Sequence, residues 1–152
     1  MVQTGDSAPD FKLDTQQGPV TLKDFAGSPL VLYFYPKDDT SGCTQEACDF
    51  RDAMPDFEHL GVKVVGVSPD SLASHEKFAK KHGLNFTLAS DPDHKVAESY
   101  GVWVEKSMYG KKYMGIERST FVIDGKGVVR AAFHKVKVPG HVQEVKEALA
   151  NL

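Results

Sequence analysis

The chain has 152 residues, a length suited to one ordinary domain, residues 1–152, with a single substantial core. Its 41% apolar and 26% charged residues are those of a soluble globular protein, and a net charge of -3 gives no electrostatic reason to expect nucleic acid or an anionic membrane as partner. No apolar run approaches a membrane span, and the start Met-Val-Gln-Thr-Gly-Asp lacks the basic-then-apolar form of a signal peptide, so the cytosol is the expected location.

In chain order, Phe11-Lys-Leu-Asp and Gly18-Pro-Val-Thr-Leu22 read as a short hairpin turning at Gln16-Gln-Gly-Pro. Leu30-Val-Leu-Tyr-Phe-Tyr35 is a continuous apolar run of β-formers, read as a buried strand. A helix follows, with Thr40 or Ser41 available as N-cap. Pro55 has no amide hydrogen, so this helix is expected to end or kink near Met54, with a continuation to Leu60 before Gly61. Residues 62–68 form a second buried strand. Ser71 to His82 has helical spacing, with Leu72, His75 or Glu76, and Ala79 along one side and Gly83 as C-cap. A brief strand over 86–89 precedes a helix begun by Asp91 and Asp93, an N-cap with first-turn acids rather than a metal site with His94. The lysines at 106–112, bracketed by Glu105 and Glu117, read as a solvated loop. Ser119–Ile123 and Val128–Phe133 flank Asp124-Gly-Lys-Gly127 as a hairpin, whose glycines are turn residues because no helix follows to make a dinucleotide site. Val142 to Leu149 is an amphipathic C-terminal helix. Strands alternating with helices argue for an α/β domain with a mixed central sheet.

The only two cysteines, Cys43 and Cys48, stand in Pro36-Lys-Asp-Asp-Thr40-Ser-Gly-Cys43-Thr-Gln-Glu46-Ala-Cys48. Cys43 thus falls in the first turn of a helix, where unpaired backbone N–H groups and the helix dipole favour an anion. The C-x4-C spacing misses the C-x-x-C of disulfide exchangers and zinc knuckles, and the nearest histidine in sequence, His59, is sixteen residues from Cys43, so no metal is expected. Two inert, buried cysteines are the plainer alternative, but Thr40, Ser41, Gly42 and Thr44 make a poor apolar setting for Cys43. In a cytosol that keeps thiols reduced, a closely spaced pair is more often catalytic than a structural staple. The six histidines show no metal spacing and read as surface or helix-end residues.

The run P-x-x-x-T-x-x-C, met by Pro36, Thr40 and Cys43, resembles the signature of the peroxiredoxins. Gly42-Cys-Thr-x-Glu46-Ala-Cys48 is most similar to their bacterioferritin comigratory protein, or Q-type, subfamily. The likeness continues through Asp91–Trp103 and Gly115–Asp124, hence over nearly the whole chain. It implies the thioredoxin-like fold: a central mixed sheet with helices on both faces and an N-terminal β-hairpin. It also implies peroxide reduction with Cys43 as the peroxidatic nucleophile, Thr40 bonding thiolate and peroxide, and Pro36 shielding the thiolate from water. The family's active-site arginine falls on Arg118, whose fixed charge and forked donors suit a thiolate and a peroxide. Glu46 is expected to hold that arginine, to serve as a capping-box residue at the helix start, or to do both. Some Q-type members carry the second cysteine on a later helix; here only Cys48 is available as the resolving residue.

After attack Cys43 becomes a sulfenic acid, which condenses with a thiol to a disulfide. Five residues along an α-helix separate two Cα atoms by ~8.7 Å, beyond the ~4.4–6.8 Å that a disulfide tolerates, so the helix must unwind locally. A dithiol reductant, thioredoxin or glutaredoxin, would then reset the pair, and the subfamily implies a monomer. Two other functions fit parts of the pattern. A general thiol–disulfide oxidoreductase would carry C-x-x-C, which is absent. A redox sensor or holdase would have no use for Thr40 and Arg118.

Overall fold

The computed structural model describes residues 2–152; of the expected domain, Met1 alone lies outside the described residues. Strands β1 (Lys12–Thr15) and β2 (Gly18–Thr21) form the expected hairpin, and a single 3-10 turn (Leu22–Phe25) leads on to β3 (Leu30–Phe34). Then come α1 (Ser41–His59), β4 (Lys63–Ser68), α2 (Leu72–His82), β5 (Thr87–Ser90) and the short α3 (Lys95–Ser99). The chain closes with β6 (Trp103–Met108), β7 (Lys111–Ile116), β8 (Ser119–Ile123), β9 (Val129–Phe133) and α4 (His141–Ala150).

Seven strands make one mixed sheet in the order β2-β1-β5-β4-β3-β8-β9. Strand β3 pairs in parallel with β4, Leu30 opposite Lys63, and antiparallel with β8, Leu30 opposite Ile123. Because successive side chains of a strand point to opposite faces, the unbroken apolar run of β3 serves two cores at once. Leu30, Leu32 and Phe34 pack on one face with Phe11, Val96, Ala97 and Tyr100. Val31, Tyr33 and Tyr35 pack on the other, beneath α1, α2 and α4, with Cys43, Phe50, Phe57, Phe78 and Val145. Helices therefore cover both faces, as the family resemblance implied.

The helix expected to begin with Asp91 and Asp93 starts instead at Lys95, with His94 in the N-cap position and the Asp91 carboxylate accepting from the Val96 and Ala97 amides. Three further details depart from the sequence reading. First, α1 runs unbroken through Pro55. Proline leaves the carbonyl four residues back without its helical donor, and here Asn85 Nδ2 reaches the Arg51 carbonyl at 3.3 Å while the Arg51 side chain donates to the His82 carbonyl at 2.7 Å. Second, the lysine-bearing stretch is not a loop. It is the two-stranded β6–β7 hairpin, its register running from Trp103 opposite Ile116 to Met108 opposite Lys111. Its turn places Tyr109, almost wholly exposed, at a φ of 51° beside Gly110. Charged residues on both strands of an exposed ribbon hid the alternation that marks a half-buried strand. Third, α2 buries Phe78 and His75 rather than Leu72. The helix itself is as expected, with Ser71 accepting from the Ser74 amide and Gly83 in the left-handed conformation as its C-cap. Among the described residues no helix is long and apolar enough to cross a membrane.

Candidate active site

The Leu30–Phe34 strand delivers the chain to the loop at 36–40, and α1 opens immediately after it, with Thr40 in the N-cap position. The first helical bond runs from the Thr44 amide to the Thr40 carbonyl at 2.8 Å. Residues 41–43 thus present amides with no acceptor inside the helix, and Cys43 is the third of them. Both cysteines are free thiols; Cys43 is buried and Cys48, on the same helix, is partly exposed.

Arg118 sits in the two-residue link between β7 and β8, which carries it to the start of α1. Its Nη2 donates to Cys43 Sγ at 3.2 Å and its Nη1 to Glu46 Oε1 at 2.7 Å. One guanidinium therefore bridges two side chains three residues apart on one helix face. Space for it comes from Gly42, where an added Cβ would stand 3.3 Å from Nη2. Burial opposes the charge of Arg118, but Glu46 and Cys43 outweigh it and hold the guanidinium more firmly protonated than usual.

Glu46 is 1% exposed. Burial pushes its carboxyl up to about 7, against the pull of Arg118. The rise reflects a half-satisfied group: Oε2 has no hydrogen-bond partner. The capping-box role expected as one alternative is not realised. With Thr40 as N-cap the box position is Cys43, so Glu46 lies a turn too deep to reach the helix-start amides. Thr40 also differs from its expected contacts, since its hydroxyl donates to the Lys37 carbonyl at 2.9 Å and makes no cap bond. Pro36 lies half-buried at the head of the loop.

Sequence reading missed three neighbours. The Tyr33 hydroxyl is buried without a partner, and burial first, then the nearby charges of Glu46 and Cys43, raise its pKa well above the usual value. Its ring stacks on Phe50 at 4.6 Å and lies over Gly66, where a Cβ would come within 2.8 Å of the phenol. Nothing in the apolar run 30–35 marks which tyrosine faces the site. Asp38 and His75 form a fully buried contact of 2.7 Å, which corrects the expectation that the histidines lie at the surface or at helix ends; His141, though 1% exposed, stands at the first position of α4, a helix end as expected. For His75 the signal was present, because its position falls on the inward stripe of α2.

The AhpC/TSA family model matches residues 4–132. The chain is 52% identical over 145 residues to a putative peroxiredoxin bcp of Coxiella burnetii, covering 95% of this chain and 96% of that one. It is 49% identical over 152 residues to peroxiredoxin Bcp of Bacillus subtilis, covering 99% and 97%. Among solved structures, the bacterioferritin comigratory protein of Xanthomonas campestris, described for its alkyl peroxide reduction activity, superposes with a TM-score of 0.90 at 43% identity, covering 99% of this chain and 96% of that one. BcpB of Mycobacterium tuberculosis superposes with a TM-score of 0.88 at 34% identity, covering 100% and 99%.

Proposed function

The chain belongs to the AhpC/TSA family, among its Bcp or Q-type peroxiredoxins, and on that premise we propose a residue-by-residue account of a thiol-dependent peroxidase in which Cys43 is the peroxidatic nucleophile and Cys48 resolves it. The observation that carries this reading is Arg118 Nη2 at 3.2 Å from Cys43 Sγ, with Glu46 holding the other arm of the same guanidinium.

The Cys43 thiolate attacks one oxygen of the peroxide. The S–O bond forms as O–O breaks; the electron pair leaves on the far oxygen, which takes a proton to depart as water or an alcohol. Charge thus moves from sulfur to the leaving oxygen, and a group that favours both must donate at both places. Arg118 has the forked donors for it, and the amides of residues 41–43 add a second set. Pro36 limits water at the sulfur. Thr40 supplies a further hydroxyl once peroxide draws it from the Lys37 carbonyl. Glu46 touches Arg118 and not Cys43, so its role is to position.

Cys43 is left as a sulfenic acid. The Cys48 thiol displaces its hydroxyl as water, forming one disulfide within the chain, for which the start of α1 must unwind. A dithiol reductant then takes over the disulfide and returns both thiols. We assign that role to thioredoxin, with glutaredoxin as the alternative donor, and we take the enzyme to act as a monomer in the cytosol, with residues 1–152 as one working domain.

Purified protein with a thioredoxin system and hydrogen peroxide or an alkyl hydroperoxide tests the reading. Consumption of reductant tied to peroxide, lost in Cys43→Ser, is expected, because a serine hydroxyl is not ionised at neutral pH. Turnover near wild type in that variant would sink the assignment of Cys43.

A further inference from the structure

The loop before Cys43 is clamped to α2 at both ends of that helix. At the first end Asp38, 8% exposed, takes bonds from Tyr35 Oη at 2.6 Å, Ser74 Oγ at 2.7 Å and His75 Nδ1 at 2.7 Å, while its own amide donates to Asp70 Oδ2 at 2.7 Å. At the other end Asp39, held at a φ of 60°, takes bonds from Lys81 Nζ at 2.8 Å and His82 Nε2 at 3.1 Å. Thr40 and the start of α1 follow directly.

The far side of His75 fixes what the ring is. Its Nε2 lies 3.0 Å from the Ala89 carbonyl, which can only accept. Its Nδ1 faces a carboxylate oxygen. Nε2 therefore donates to Ala89, while Nδ1 and the carboxylate are joined by one proton held between them, a buried pair tying the loop through α2 to β5. Burial works against the ionised form of Asp38, but the bonds from His75, Tyr35 and Ser74 prevail and hold it below the usual range.

Breaking one partner of such a pair leaves the other buried and uncompensated, so the arrangement is all-or-none. We propose that His75, acting through Asp38, is a positioning residue of the peroxidase reaction, which keeps the loop 36–40 fixed while the start of α1 unwinds and re-forms. The clamp ends at Asp39, one residue before the N-cap, so nothing in it resists opening of α1 itself. It serves the step that needs the folded site, which is attack on peroxide, and not the step that needs the unfolded one, which is disulfide formation.

This rests on Cys43 as nucleophile, and rapid-mixing kinetics separate the two ideas. In His75→Gln and Asp38→Asn the second-order reaction of the reduced enzyme with hydrogen peroxide should slow by about tenfold or more, as expected for a misplaced reacting group, while conversion of sulfenic acid to disulfide should stay within about twofold or quicken. A structural role alone would move neither step in protein that is still folded, or both together. Nitrogen NMR of the reduced wild type should show a protonated Nε2 at His75 and a proton shared between Nδ1 and Asp38, the latter lost in Asp38→Asn. Should His75→Gln fail to fold, Ser74→Ala and Lys81→Ala each remove one clamp contact and should slow the peroxide step about threefold. First-step rates equal to wild type in the folded variants, or a His75 ring with a bare Nε2, overturn the clamp. Peroxidase activity persisting in Cys43→Ser overturns the underlying assignment instead.

Discussion

Glu46 Oε1 and Arg118 Nη1 meet at 2.7 Å, yet the other carboxylate oxygen of Glu46 is buried and bonded to nothing. One half of the group is ideally paired and the other is stranded, and burial prevails over the pairing. The arginine is thereby held by a partner that is itself poised to take up a proton.

Stability should therefore depend on pH through Glu46. Burial raises the carboxyl from its ordinary 4.5 to about 7, so the native state keeps a proton that the unfolded chain has released. That contribution is fully present below the unfolded value and is lost as pH rises through 7. A glutamine at this position has no proton to lose. Urea unfolding of the reduced protein should find Glu46→Gln gaining on wild type between pH 5 and pH 8, by up to ~3 kcal/mol. A constant difference across that range would mean that Glu46 is ionised throughout.

Arg118→Ala should slow peroxide attack by about a hundredfold, the usual cost of one well-aimed donor at a site of developing charge. Arg118→Lys should recover only part of it, since an ammonium cannot reach Cys43 and Glu46 with two arms of one plane. Single-turnover oxidation by hydrogen peroxide measures both. A wild-type rate in Arg118→Ala would leave the helix-start amides as the sole support for the thiolate.

Cys48→Ser should leave the first oxidation nearly intact and stop thioredoxin-supported turnover. In the folded helix the two Cα atoms stand ~8.7 Å apart, too far for Cys48 to assist attack, and the chain has no other thiol. Oxidised wild type should hold one Cys43–Cys48 bond within a single chain, and segment 42–53 should lose amide protection. Peptide mapping with hydrogen exchange on both redox states decides it. A mainly intermolecular bond, or equal protection in both states, would contradict local unwinding.

Gly66→Ala tests how Tyr33 is seated. The new Cβ would fall 2.8 Å from the Tyr33 ring carbon and hydroxyl, and a ring stacked on Phe50 cannot swing aside freely. A loss of about 1–3 kcal/mol in thermal or urea unfolding is expected, the usual cost of overpacking. Stability equal to wild type would show that the tyrosine can give way.

Much of the site was legible because its residues cluster in sequence or recur in a family pattern. Pro36, Thr40, Cys43, Glu46 and Cys48 fall within thirteen positions, and a strand-to-helix turn places Cys43 by local rules alone. Arg118 could be identified only through resemblance, because 75 residues separate it from Cys43 and only the β3–β8 pairing brings it near. Asp38 and His75 escaped for a different reason. Each looks ordinary alone, a loop acid and a helix histidine, and their meaning lies in a contact 37 residues long. The β6–β7 hairpin escaped because it rests on cross-strand hydrogen bonds rather than on a buried face, which leaves little trace in hydropathy.

The kept proline in α1 has its own consequence. Because Pro55 cannot bond the Arg51 carbonyl, Asn85 does so, and the Arg51 side chain is tied to the same bend at His82. Arg51 is thus riveted to the 82–85 turn by backbone and side chain together, and an opening that starts at Ser41 meets a stop there. The length of chain released on oxidation would then be set by a rivet in another part of the fold. The reductant would meet a tether of defined reach, anchored at Asp39 and Arg51, with the body of the helix and the core beneath it left in place.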